Sequence, residues 1–277
     1  MTLRRPLVPT LVVLCLTLAL TSHFLPPDAS ADDGYQEVAQ VVSRPVWDRM
    51  RPIHRQLIRS IVENNLDPSR ARMAACWEAS PSNYELVEAF NAAMSLGADP
   101  SQEFQLSNRW TNTTSGTSGV QGVPTTLTYS FVPDGTSIPS TGTTDPSGVS
   151  NLFAWLNGIY GSPAVWQQIF ADEFARYANL TGLSYVHETN DDGVPMFGSG
   201  GSAGSRGDVR IGARMIDGNS GILAYDYYPN NGDMVLDAYD SFFNSTSSNS
   251  LRLRNVVAHE HGHGMGMAHV CPANETK

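Results

Sequence analysis

The sequence predicts an α+β protein: a mixed β-sheet with helices against it, preceded by a helical N-terminal region. Three observations predict it. From Thr125 the pattern Leu127, Tyr129, Phe131 alternates with Thr126, Thr128 and Ser130, the period of a half-buried strand. From there the order strand, helix, four further strands, helix suits a mixed sheet covered by helices. Upstream, Val46, Met50, Ile53, Leu57 and Ile61 recur at helical spacing. A hydrophobic fraction of 41% in 277 residues supports a core of that size.

Residues 1–31 read as an export signal. Arg4 and Arg5 are its basic start, Leu7 to Leu20 its apolar stretch, and Ala29-Ser30-Ala31 its small-residue cleavage pattern. This predicts a secreted chain with no stable membrane association after cleavage. Residues 32–105 form the helical N-terminal or pro-region, punctuated by Pro45, Pro52, Pro68, Pro81 and Pro100. Residues 106–277 form the second region, entered through a Ser/Thr/Gly-rich stretch from Thr111 to Pro124. After the first strand and a turn-rich loop, Ser162-Pro163 opens a helix with the apolar stripe Trp166, Ile169, Phe170, Phe174 and Tyr177. The remaining strands are expected at 183–188, 208–216, 222–228 and 233–238. Asn249 or Ser250 caps the last helix.

Charge excludes one class of partner. The net charge is −10, with 17 Lys+Arg against 27 Asp+Glu, whereas nucleic-acid binding needs a basic footprint.

The chemistry is carried by AHEHGHGMGMAHV, residues 258–270. On a helix, positions four apart lie one above the other, so His259 and His263 reach one ion from the same face. His261 lies on roughly the opposite side and is not expected to be a ligand. A catalytic zinc takes three protein ligands and keeps a position open. His269 lies too far along a straight helix, but Gly266 permits the left-handed turn that brings it back. Glu260, beside the first ligand, is placed to act on water as general base. One zinc ion is therefore expected on His259, His263 and His269.

The pattern His259-Glu260-x-x-His263-x-x-Gly266-x-x-His269 resembles that of the metzincin metallopeptidases and, within them, the matrixins. TYSF (128–131), GDVRI (207–211), IDGNSGILAYDYYP (216–229) and GDMVLDAYD (232–240) are similar to matrixin segments as well. The resemblance implies a twisted, mostly parallel five-stranded sheet with the active-site helix beneath it. It also implies a cleft along an edge strand, a zinc cofactor, a peptide or protein substrate, and Glu260 as catalytic base. Four departures stand out. The sequence given ends eight residues after His269, before a methionine turn and specificity loop. Tyr225 and Tyr239 stand where a second, structural zinc would have histidines. Val270 follows the third histidine in place of serine. The usual propeptide cysteine-switch sequence is absent.

Other residues carry open alternatives. Cys76 could pair with Cys271, cap the metal as a latency device, or stay a free thiol. Asp217, Asp237 and Asp240 lie in loops whose oxygens suit calcium, or are simply solvated carboxylates. Asp191-Asp192-Gly193 reads as a turn. His54 and His187 read as ordinary structural residues, and Arg206-Gly207-Asp208 as the start of a strand. Asn112, Asn179, Asn244 and Asn274 open glycosylation sequons. Two other functions compete with the peptidase: a non-catalytic secreted binding module of the same fold, and a metal-dependent hydrolase of a non-peptide bond. The sequence leaves the oligomeric state open.

Overall fold

The computed structural model describes residues 33–269, except 71, 79–81, 98–108, 117–121, 141–146 and 199. The expected signal at 1–31 and residues Cys271 and Asn274 lie outside the described residues.

The N-terminal region contributes α1 (Tyr35–Val38), α2 (Arg44–Arg49), α3 (Pro52–Leu66), strand β1 (Met73–Trp77) and α4 (Tyr84–Met94). Then follow β2 (Thr125–Phe131), the short pair β3 (Ser137–Ile138) and β4 (Gly148–Val149), α5 (Leu152–Tyr160), α6 (Pro163–Leu180), β5 (Leu183–His187), β6 (Val209–Arg214), β7 (Ile222–Tyr227), β8 (Met234–Asp237), a 3₁₀ turn (Ser241–Asn244) and α7 (Ser247–Gly264). The main sheet runs β1-β7-β8-β6-β2-β5. The β5–β2, β2–β6 and β6–β8 pairs are parallel, whereas β8–β7 and β7–β1 are antiparallel.

The mixed α+β class and all five expected strands are present, with two corrections. The sheet has six strands, because β1 comes from the region read as wholly helical. Its register, Met73↔Tyr227 through Cys76↔Ala224, sets it along β7. Pairing satisfies the N–H and C=O groups that an edge strand otherwise exposes. The second correction is α5, which occupies part of the stretch read as loop. Its start is fixed by Asp134, whose carboxylate accepts from the Phe153 and Ala154 amides at 2.8 and 2.9 Å.

Two cores flank the sheet. One joins Trp47, Ile58 and Phe90 of the N-terminal helices to β1 and to Tyr225 and Tyr227 of β7. The other packs Leu127, Phe131 and Leu236 of the sheet against Trp166, Phe170 and Phe174 of α6 and Val257 of α7. Burying each such side chain contributes about 1.5–3 kcal/mol. The apolar stripe read from sequence is the buried face of α6, with Tyr177 half-buried at its end.

The loops between strands are tied by carboxylates. Asp208 accepts from the amides and hydroxyls of both Thr114 and Thr128. It is buried, so the Arg-Gly-Asp tripeptide leads into β6 with its acid turned inward. Arg210, fully buried, donates to both oxygens of Asp191 and to the Val194 and Pro195 carbonyls. At the proposed calcium loops, Asp237 accepts from the amides of Asp217, Gly218 and Tyr239, and Asp240 from those of Ser220 and Phe242. Backbone N–H groups thus already engage these oxygens.

Candidate metal centre

Helix α7 positions the site. The helix begins at Ser247 after its cap Thr246, upstream of the Asn249 or Ser250 cap read from sequence; Ser248, Asn249 and Ser250 have left-handed backbone, and regular helix follows from Leu251. His259 and His263 lie one turn apart on the regular part. The helix ends at Gly264, and Gly266 adopts φ 98°, a conformation glycine takes without strain. Trp110 holds this end, its buried indole N–H donating to the Gly264 carbonyl at 2.8 Å.

The turn returns His269 to the helix. The three Nε2 atoms are 2.9 Å (His259–His269), 3.1 Å (His259–His263) and 3.1 Å (His263–His269) apart. Donors about 2.0–2.1 Å from one tetrahedral ion would lie roughly 3.3 Å apart, so the three fit a zinc ion closely. The His263 Nδ1–H donates to the Met267 carbonyl at 2.7 Å, which leaves its Nε2 lone pair facing the cluster. Burial lowers the pKa of all three rings, that of His269 to about 4 and that of His263 well below its ordinary value; the neighbouring imidazoles add to the effect at His263 and His269. Neutral rings are the form a metal binds.

Glu260 is fully buried, and neither carboxylate oxygen has a hydrogen-bond partner of ordinary geometry among the described residues. Burial raises its pKa well above the usual carboxylate range, against a smaller pull from the Cys76 backbone amide. His261, as expected, points elsewhere. Its Nε2 meets the Tyr185 hydroxyl at 2.6 Å, and its ring packs on Phe174 and Tyr177. Burial drives its pKa down to about 3, so it is a neutral packing residue.

The N-terminal region reaches this site. Cys76 has no disulfide partner among the described residues, and its sulfur, a His259 nitrogen and a Glu260 oxygen all lie within 4.8 Å of one another. Burial, and then the Glu260 charge, push its pKa up. Ala75, Cys76 and Trp77 of β1 and Val87 and Asn91 of α4 face the three histidines across a cavity of about 540 Å³. Sequence reasoning offered Cys76 among alternatives but missed Val87, Asn91, Trp110 and Tyr177. The uninterrupted apolar run Met73–Trp77 was the one available signal for a buried strand.

His54, read as an ordinary structural residue, and Asp217, weighed as a calcium ligand or a solvated carboxylate, are brought together, with Nε2 to Oδ2 at 2.7 Å. His187 lies at the end of β5 and stacks on Tyr129.

A mixed sheet over a helix whose two histidines converge with a third returning from a turn makes a three-imidazole candidate metal centre. More narrowly, residues 164–275 match the model of the matrixin peptidases, and the chain is matrixin-like over this stretch. A curated relative, "Metalloendoproteinase 4-MMP" of Arabidopsis thaliana, is 30% identical over 114 residues, 40% of this chain and 32% of that protein. The match thus spans about a third of the relative's length.

Proposed function

We propose that this chain is an exported, zinc-dependent endopeptidase that hydrolyses peptide bonds of protein substrates, with His259, His263 and His269 as ligands and Glu260 as general base. The observation that carries the reading is the convergence of three neutral Nε2 atoms within 3.1 Å, beside a buried carboxylate. Zinc, when bound, polarises a scissile carbonyl and makes water acidic enough to deprotonate near neutral pH. The chain's residues do the rest. Glu260 takes a proton from the attacking water on a carboxylate oxygen and then delivers it to the leaving amine. Trp110 and the turn at Gly266 fix the third ligand relative to the first two. The uncovered edge of β7 would hold an extended peptide by main-chain hydrogen bonds.

The same reading makes residues 34–96 an inhibitory region. β1 lies on that edge, and Cys76 supplies a soft sulfur donor beside His259. Latency is thus favoured over the disulfide with Cys271.

The test compares the full chain, after removal of residues 34–96 by limited proteolysis, with its Glu260→Gln variant. Peptide cleavage should fall by about 100-fold or more while bound zinc stays at one ion per chain. Equal cleavage by both would refute the assigned base, and absence of stoichiometric zinc would refute the metal site.

A further inference from the structure

Resting on the reading of residues 34–96 as the region that closes the cleft, we propose that Asp217 anchors it: an autoinhibitory contact in which one carboxylate grips Arg51 and His54 of α3 and so seats the strand that carries Cys76. Asp217 sits in the loop before β7, and its side chain is fully buried. Its Oδ2 accepts from Arg51 at 2.6 Å and meets His54 Nε2 at 2.7 Å. Its Oδ1 accepts from the Ile222 amide at 3.0 Å, and its carbonyl from the Arg51 guanidinium at 3.1 Å. The carboxylate thus bridges the start of β7 to the N-terminal helix.

The contact continues to the plug. The His54 ring, 4% exposed, meets Trp77 edge-on at 5.1 Å, and Trp77 packs on Phe90 of α4 at 4.3 Å. Trp77 is the neighbour of Cys76. The next residue, Glu78, donates its amide to the Gly221 carbonyl at 3.0 Å, in the loop that Asp217 begins. A rigid path therefore joins the anchor to the thiol, and Asp217 itself does not line the cavity beside the histidines. Among the described residues, the ion pairs Arg49–Glu85, Arg59–Glu37 and Arg70–Glu63 all lie within residues 34–96. Those pairs hold that region together, while the Asp217 pairs hold it to the rest.

The two sides of the contact can be cut separately. Asp217→Asn keeps an acceptor for the Ile222 amide but removes the charge that Arg51 faces. Arg51→Gln with His54→Gln cuts the same link from the N-terminal side and leaves the loop before β7 unaltered. In the full 277-residue chain with Cys15→Ser and Cys271→Ser, Cys76 is the remaining thiol. The readout is the rate at which a maleimide labels it under native conditions, with a thermal melt as control for folding. Both variants should raise the rate on the order of 100-fold, since each breaks the buried His54–Asp217 contact and the Arg51 link to the same carboxylate, with a cooperative melt retained. A folded Asp217→Asn chain that labels no faster than its parent overturns the anchor. Should that variant fail to melt cooperatively, the Arg51/His54 variant decides by the same criterion. Faster labelling without any peptide cleavage would keep the anchor and remove the peptidase reading.

Discussion

Arg210→Met is the sharpest test of how the loops around the site are held. The Arg210 guanidinium is fully buried and donates to both oxygens of Asp191, whose side chain is 1% exposed. Asp233, also buried, accepts from the Arg210 amide at 3.1 Å and from the Phe197 amide at 3.0 Å. Burial pushes Asp191 up, but hydrogen bonds from Arg210 and Ser130 and the Arg210 charge outweigh it and hold the pKa below 3.8. Asp233 is raised to about 7 by burial, and the Phe197 amide and the Arg210 charge restrain it. Methionine keeps the stem volume and removes the charge, leaving two buried carboxylates uncompensated. Removing one partner of a buried pair costs about 3–5 kcal/mol. At about 2–4 °C per kcal/mol for a chain of this size, Tm at pH 7.5 should fall by about 6–20 °C. The pH dependence fixes the sign. In the parent, Asp191 stabilises the fold above its unfolded pKa of 3.8, and that contribution is lost as pH falls through the lower folded value. In the variant both acids have folded values above their unfolded ones, a penalty present at neutral pH and relieved as they protonate. The gap in Tm should therefore narrow between pH 7.5 and pH 4.5, as read by scanning calorimetry. A loss of less than about 1 kcal/mol at pH 7.5, or a gap that widens on acidification, would refute the ion-pair account.

Two further substitutions probe the frame behind the histidines. Phe174 touches Tyr129, Tyr185 and His261 with ring centroids 4.6, 5.3 and 4.5 Å away. Phe174→Ala should cost about 3–5 kcal/mol, seen as a lower denaturant midpoint with unchanged slope; a loss within experimental error would show that the cavity collapses. Trp110→Phe leaves the Gly264 carbonyl without its indole donor and should cost about 1–3 kcal/mol. It should also speed zinc loss to a chelator, and unchanged release would remove Trp110 from the support of His269.

What was legible in sequence followed from local rules. His259 and His263 share a helical face by spacing alone, and Gly266 announced the turn that delivers His269. Strands β2 and β5 to β8 were visible from alternation or from apolar runs bounded by Gly, Asp and Asn. The failures have physical causes. LFAWLNGIY holds an Asn and a Gly inside α5 and follows a run of Ser, Thr and Gly, so its apolar residues were passed over as loop. MAACW has no alternation, because β1 is buried on nearly every residue between β7 and the N-terminal helices. Its partner strand lies about 150 residues downstream, and no pattern within either segment announces such a pairing. Asp217 was weighed as a calcium ligand because its neighbours are Gly and Asn, while its partners His54 and Arg51 sit 163 and 166 residues away.

The placement of β1 also bears on how the newly made chain stays apart from its copies. Any event that strips these five residues from the sheet bares a row of unpaired amides and carbonyls along β7. A second molecule could dock on such a row, so self-association is the natural hazard of a chain with β1 displaced. Synthesising the cover ahead of the strand it shields lets the sheet close before that row meets another chain.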